Sequence, residues 1–138
     1  MQLFKSLKKY ENNTAILDEN FNYWSYKKIF NLNKTKLNGL VSNKLIFVLA
    51  DNNAEFISCY FCFLERKLVQ ALIDSEIDDI FLDELIKIYK PEYLFVRESK
   101  KIFPKNYNIF IKLEKHYILK HNKNTNYSIN PELRLLLT

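Results

Sequence analysis

LIFVLADNNAEFISCYFCFLERKLVQALID, residues 45–74, followed by DDIFLDELIKIYK (78–90) and YLFV (93–96), alternates between two hydrophobic periods. LIFVLA (45–50), LVQALI (68–73) and YLFV are short, nearly unbroken apolar runs, whereas 51–67 and 78–90 carry apolar residues at helical spacing. Runs of the first kind are buried on both faces, and segments of the second kind are long enough to cross back over a sheet. The pattern therefore predicts parallel strands joined by crossover helices, in a three-layer α/β unit with a mainly parallel sheet.

Working outward, the central helix is predicted to start on an Asn capping box, with Asn52 accepting from the backbone near Glu55 and Glu55 reaching back. From Phe56 to Leu64 only Ser58 is polar. A helix apolar all round is buried on more than one side, and because covering material within 138 residues is limited, a partner layer missing from this chain is expected. The next helix is predicted to place Phe81, Leu82, Leu85, Ile88 and Tyr89 on one face, to be capped by Ser75 and Asp78 or Asp79, and to stop at Pro91. Upstream, 15–26 reads as a hairpin turning at Asp18–Asn20. Ser25 then caps a helix over 26–38, with Trp24 and Ile29 as a hydrophobic staple and Gly39 as its left-handed end. Downstream, IFIKL and HYIL within 102–122 read as two strands around a charged turn, 123–130 as a polar loop, and ELRLLLT (132–138) as a strand. An apolar strand reaching the last residue reads as a cut imposed at Thr138, within a single unit spanning 1–138.

A chain of 138 residues can bury roughly 65–70% of its unfolded surface, enough for one core. Its 48% hydrophobic and 27% charged content is that of an ordinary globular protein. Two cysteines are too few for a disulfide framework, no apolar stretch is long enough to span a bilayer, and MQLFKSLKKY is not a signal peptide. A cytoplasmic location is expected. The net charge of +5 permits attraction to polyanions. Acids and bases look interspersed, however, so nucleic acid is not expected as a partner.

The chemistry-bearing residues read as structural. Cys59 and Cys62 have redox-pair spacing but sit about two turns inside an apolar helix, away from the helix start where a thiolate is stabilised. Asp74, Glu76, Asp78 and Asp79 follow the second central strand, where an acid can hold a ribose. That role needs a glycine-rich turn after the first strand, and the turn is Asp51-Asn52-Asn53. A dinucleotide enzyme is disfavoured on the same ground. His116 and His121 match no zinc or triad motif and fall in what reads as a surface hairpin. No catalytic, cofactor-binding or metal-ligating residue is assigned.

Taken in order, four segments resemble the N-terminal portion of the adenylate-forming enzymes: acyl-CoA synthetases, acid–thiol ligases and peptide-synthetase adenylation domains. NTAILDENFNYWSYKKIF (13–30) resembles the family's opening hairpin and helix start. KLIFVLADNNAEFISCYFCFLERKLVQALID (44–74) resembles its strand, Asn-rich turn, helix and second strand. DELIKIYKPEYLFV (83–96) resembles the helix ending at Lys-Pro before a strand, and NPELRLLLT (130–138) the strand feeding the phosphate loop. Lys67 stands near the usual glycine, Gln70-Ala71 replace the usual small residue and proline, and Ser25 replaces threonine. The resemblance implies a scaffold piece, cut before the phosphate loop and inactive alone. Its parent would use ATP and Mg²⁺ to activate a small carboxylic acid as acyl-adenylate and pass it to coenzyme A or a carrier-protein thiol. The fragment's own partner would be the rest of its parent chain. The rival expectation is a self-contained interaction module that binds a protein partner or a polyanion.

Overall fold

The computed structural model describes residues 3–123, residue 132 and residues 135–137. A short helix α1 (Leu3–Leu7) and a 3₁₀ turn lead to the hairpin strands β1 (Thr14–Leu17) and β2 (Tyr23–Ser25), then α2 (Tyr26–Thr35). The central run follows as β3 (Leu45–Ala50), α3 (Ala54–Glu65), β4 (Val69–Asp74), α4 (Asp79–Tyr89) and β5 (Tyr93–Arg97). It is completed by β6 (Tyr107–Lys112), β7 (His116–His121) and β8 (Leu135–Leu137). The main sheet has the order β6-β7-β5-β3-β4-β8. β3 pairs in parallel with β4 and β5, and β4 with β8, whereas β7 runs antiparallel to β5 and β6. The sheet is thus mainly parallel with an antiparallel pair added at one edge, as the hydrophobic periods predict. Of the loop expected over 123–130, all but Lys123 lies outside the described residues, as does Thr138.

Alternation along the strands sorts side chains into two cores. Ile46, Val48, Tyr93, Phe95 and Ile118 face the layer made by α2 and α3. Leu45, Phe47, Leu49, Leu94, Val96 and Leu119 face α4. Every residue of α3 is buried or half-buried. The expectation that a covering layer is missing is overturned: the chain itself supplies the second cover, because α2 and β1 pack across the outer side of α3.

The helix ends depart from expectation in instructive ways. Ser25 does cap α2, its Oγ accepting from Lys28 N at 3.1 Å. The helix stops at Thr35, however, and Gly39 has no positive φ. Backbone N–H groups of Lys36 and Leu37 both turn to Leu32 O, which drops Leu37 into the core. Gly39 serves by its lack of a side chain: a Cβ there would lie 3.3 Å from Phe110 Cζ. At α3 the cap is Asn53 and not Asn52, with Asn53 Oδ1 accepting from Phe56 N at 2.8 Å. Glu55 does not reach back; it is used elsewhere. On α4, Asp78 is the cap, accepting from Ile80 N and Phe81 N. The sheet-facing residues of α4 are Leu82, Ile86 and, partly, Leu85, while Phe81 (57%) and Ile88 (67%) are exposed. The helix is rotated so that the Leu82–Ile86 pair, one turn apart, meets the sheet, and the wider apolar stripe read from sequence lies only half against it.

α3 closes in a Schellman motif: Leu68 N donates to Phe63 O and Lys67 N to Leu64 O, both at 3.0 Å. Lys67 occupies the left-handed position at φ 59°. A lysine Cβ is strained there and glycine is not, so Lys67→Gly should raise the unfolding free energy by about 0.5–1 kcal/mol in urea titrations. A loss of stability would contradict the left-handed assignment.

Candidate functional site

Because β3, β4 and β5 are parallel, their C-terminal ends share one edge of the sheet, the edge at which open α/β folds gather ligands. Asp51 follows β3, Asp74 and Ser75 end β4, and Arg97 ends β5. β7 begins opposite Arg97, so His116 pairs with it across the ladder and joins the same edge. Glu55 enters from the first turn of α3.

These side chains form one connected cluster. His116 is fully buried, with Nδ1 2.8 Å from Glu55 Oε1 and Nε2 3.0 Å from Asp51 Oδ2. Its ring stacks on Phe95 at a centroid distance of 4.4 Å. Glu55, 4% exposed, also accepts from Glu114 N at 3.0 Å and Lys115 N at 2.8 Å. Asp51 accepts further from Arg97 Nη2 at 2.9 Å, Asn52 N at 2.8 Å and Asn53 Nδ2 at 3.0 Å. Each ring nitrogen of His116 thus faces a carboxylate oxygen, one from the β3–α3 turn and one from the first turn of α3. Burial pushes the Asp51 carboxyl up, but the hydrogen bonds from Arg97, Asn52 and His116 outweigh it and hold the group below its usual range. The Asp51 hydrogen bond raises the Arg97 guanidinium correspondingly.

Asp51 accepts four hydrogen bonds and Glu55 three, and both ring nitrogens of His116 are engaged. The arrangement works as a clasp that ties the β3–α3 turn to β5 and β7. Among the described residues no group of three or more His, Cys, Asp or Glu is arranged to hold a metal ion. Nor is any described helix long and apolar enough to cross a membrane.

Sequence reading placed both histidines on a surface hairpin, and for His116 that is overturned. The hairpin extends the main sheet, and its first strand-end residue turns inward. One signal was present: His116 and Ile118 share a strand face at period two, and Ile118 belongs to the core. The acids after β4 behave as the structural reading holds. Asp74 accepts from Glu76 N, Asp78 caps α4, and Asp79 pairs with Lys100 at 3.1 Å. Ser75 is not a cap; its hydroxyl lies 3.5 Å from Arg97 Nη2. Cys59 and Cys62 are free and buried, and burial pushes the Cys62 thiol up to about 12 and that of Cys59 well above its ordinary value. Neither is a thiolate at neutral pH.

No protein-family profile and no curated protein sequence matches this chain. Solved structures do. The N-terminal subdomain of NpsA from Klebsiella oxytoca, in complex with anthranilyl-AMSN, superposes with a TM-score of 0.55 at 11% identity, over 67% of this chain and 26% of that one. The fold is that of an adenylate-forming N-terminal subdomain. Apo MatB from Rhodopseudomonas palustris gives 0.56 at 18% identity, over 66% of this chain and 19% of its own. A luciferase-like enzyme of the nonluminescent mealworm Zophobas morio gives 0.57 at 15%, over 70% and 24%. At such identities the subdomain fold alone is shared, and this chain spans about a quarter or less of each matched structure (26%, 19% and 24%).

Proposed function

We propose that this chain is the N-terminal scaffold of an ATP-dependent, AMP-forming ligase, whose whole protein joins a carboxylic acid to AMP with release of pyrophosphate and then passes the acyl group to a thiol. The observation that carries the proposal is the superposition of 67–73% of this chain on the N-terminal subdomain of NpsA, at TM-scores of 0.55–0.58. The contribution of these residues is mechanical: the Asp51–His116–Glu55 clasp and the two apolar cores hold a parallel sheet edge rigid.

The described residues do not fit ATP or its Mg²⁺. The turn after β3 has no glycine to let backbone N–H groups crowd a phosphate, and the carboxylate beside it, Asp51, repels one. The carboxylates of the edge are also spent on protein donors. Isothermal titration with ATP and Mg²⁺ is therefore expected to give no micromolar binding to the 138-residue chain; micromolar binding would contradict the scaffold reading. Sequencing the gene past the codon for Thr138 adds a second check, where a Gly/Ser/Thr-rich loop is expected and a stop codon would remove the proposal.

A further inference from the structure

On the α2 side of the sheet a cleft runs between the hairpin–α2 junction and the β6–β7 turn. It consists of two adjoining hollows, of about 240 and 450 Å³, that share Trp24, Lys28, Glu55 and Glu114 as walls. From Asn20 to Ala50 the chain has five lysines and no carboxylate, so the α2 bank is cationic. Lys28 and Lys36 line that bank, and Lys112 and Lys115 line the opposite one. All four are exposed, and among the described residues none is ion-paired with a carboxylate. Two of the acids in the cleft are already engaged: Glu55 in the clasp and Asp18 by the N–H groups of Asn20 and Asn22. Glu114 alone opposes the lysines.

Two rings stand at the mouth of the first hollow, Phe21 at 82% exposure and Tyr23 at 65%. Phe21 is held at φ 60°, a left-handed conformation that is strained for a bulky side chain and brings it no burial. Unburied rings beside unpaired cations form the pairing of base-stacking platform and phosphate track that single strands use. An acidic peptide would need the lysines but not the rings.

We propose that this cleft binds single-stranded nucleic acid, with phosphates along Lys28, Lys36, Lys112 and Lys115 and bases against Phe21 and Tyr23. The inference is independent of the ligase reading, since it concerns a different ligand, although the cleft shares Glu55 with the clasp. Trp24, the chain's single tryptophan, lies under the Lys28 ammonium at 4.1 Å and reports on the cleft directly.

The test is titration of the full chain with a fluorescent oligouridylate of about a dozen nucleotides, read by anisotropy and by Trp24 emission, at several salt concentrations. Four lysine–phosphate contacts predict a slope of log K against log salt of about −2 to −3. The double substitution Lys112→Glu, Lys115→Glu is expected to weaken binding at least about tenfold, whereas Lys87→Glu, on α4 across the sheet, should change it less than about threefold. Phe21→Gly separates structure from recognition: it relieves the strained φ and should raise the urea midpoint, yet weaken binding about tenfold through lost stacking. Absence of binding at low salt overturns the proposal, as does equal loss in Lys87→Glu, which would mean diffuse attraction. Polyglutamate competing as strongly as the oligonucleotide would mark an acidic-peptide surface, and uridine monophosphate binding as tightly as the oligomer would mark a compact nucleotide pocket; either result also overturns it.

Discussion

Glu55→Ala is expected to destabilise the fold by about 3–5 kcal/mol, the range for breaking a buried charged pair by deleting one partner. The substitution removes the carboxylate that accepts from Glu114 N and Lys115 N and leaves the fully buried His116 Nδ1 without its partner. Against a total stability of about 5–15 kcal/mol for a typical domain, that loss brings the chain near unfolding. Guanidinium titration of the purified variant measures it. A double-mutant cycle with His116→Ala should show strong non-additivity, because both substitutions dismantle one clasp. A change below about 1 kcal/mol would mean that the Glu55 carboxylate is solvated and the clasp is not formed.

Phe95→Ala is the second large effect, at about 3–5 kcal/mol for a large-to-small change in a closed core. Phe95 is fully buried at the centre of β5, packed edge-on to Phe63 at 5.6 Å, tilted to Phe56 at 6.2 Å and stacked on His116. Its ring therefore supports α3, the sheet and the clasp together. Phe81→Ala is the matched comparison. Although sequence periodicity puts Phe81 on the same face of α4 as Leu82, it is more than half exposed, and its truncation should cost no more than about 0.5 kcal/mol. Equal losses for the two phenylalanines, by the same titration, would show that α4 is rotated from the position described.

The distinction between these two residues shows how far the sequence reaches. The order of strands and helices was legible because each element is specified by near neighbours: two-residue alternation or 3.6-residue spacing within a dozen positions. Ser25 as a cap followed from the same local chemistry, which for α4 offered Ser75 and Asp78 or Asp79 and did not choose among them, and so did the core cysteines, which sit where the helix period has no polar side. Gly39 misled because a lone glycine after a helical pattern satisfies the left-handed rule, while its actual service is to Phe110, seventy-one positions away by number.

What the sequence determined by itself was the α/β class, the mainly parallel sheet and the absence of a glycine-rich phosphate turn after β3. The tertiary structure alone decided that His116 lies buried between Asp51 and Glu55, sixty-five and sixty-one positions distant. It also decided which edge of α4 meets the sheet, and that lysines from α2 and from the β6–β7 pair line one cleft. The physical reason is range: periodicity and capping act within a few residues of the chain, whereas burial of a charge and convergence of cations depend on which distant segments the packed sheet brings side by side.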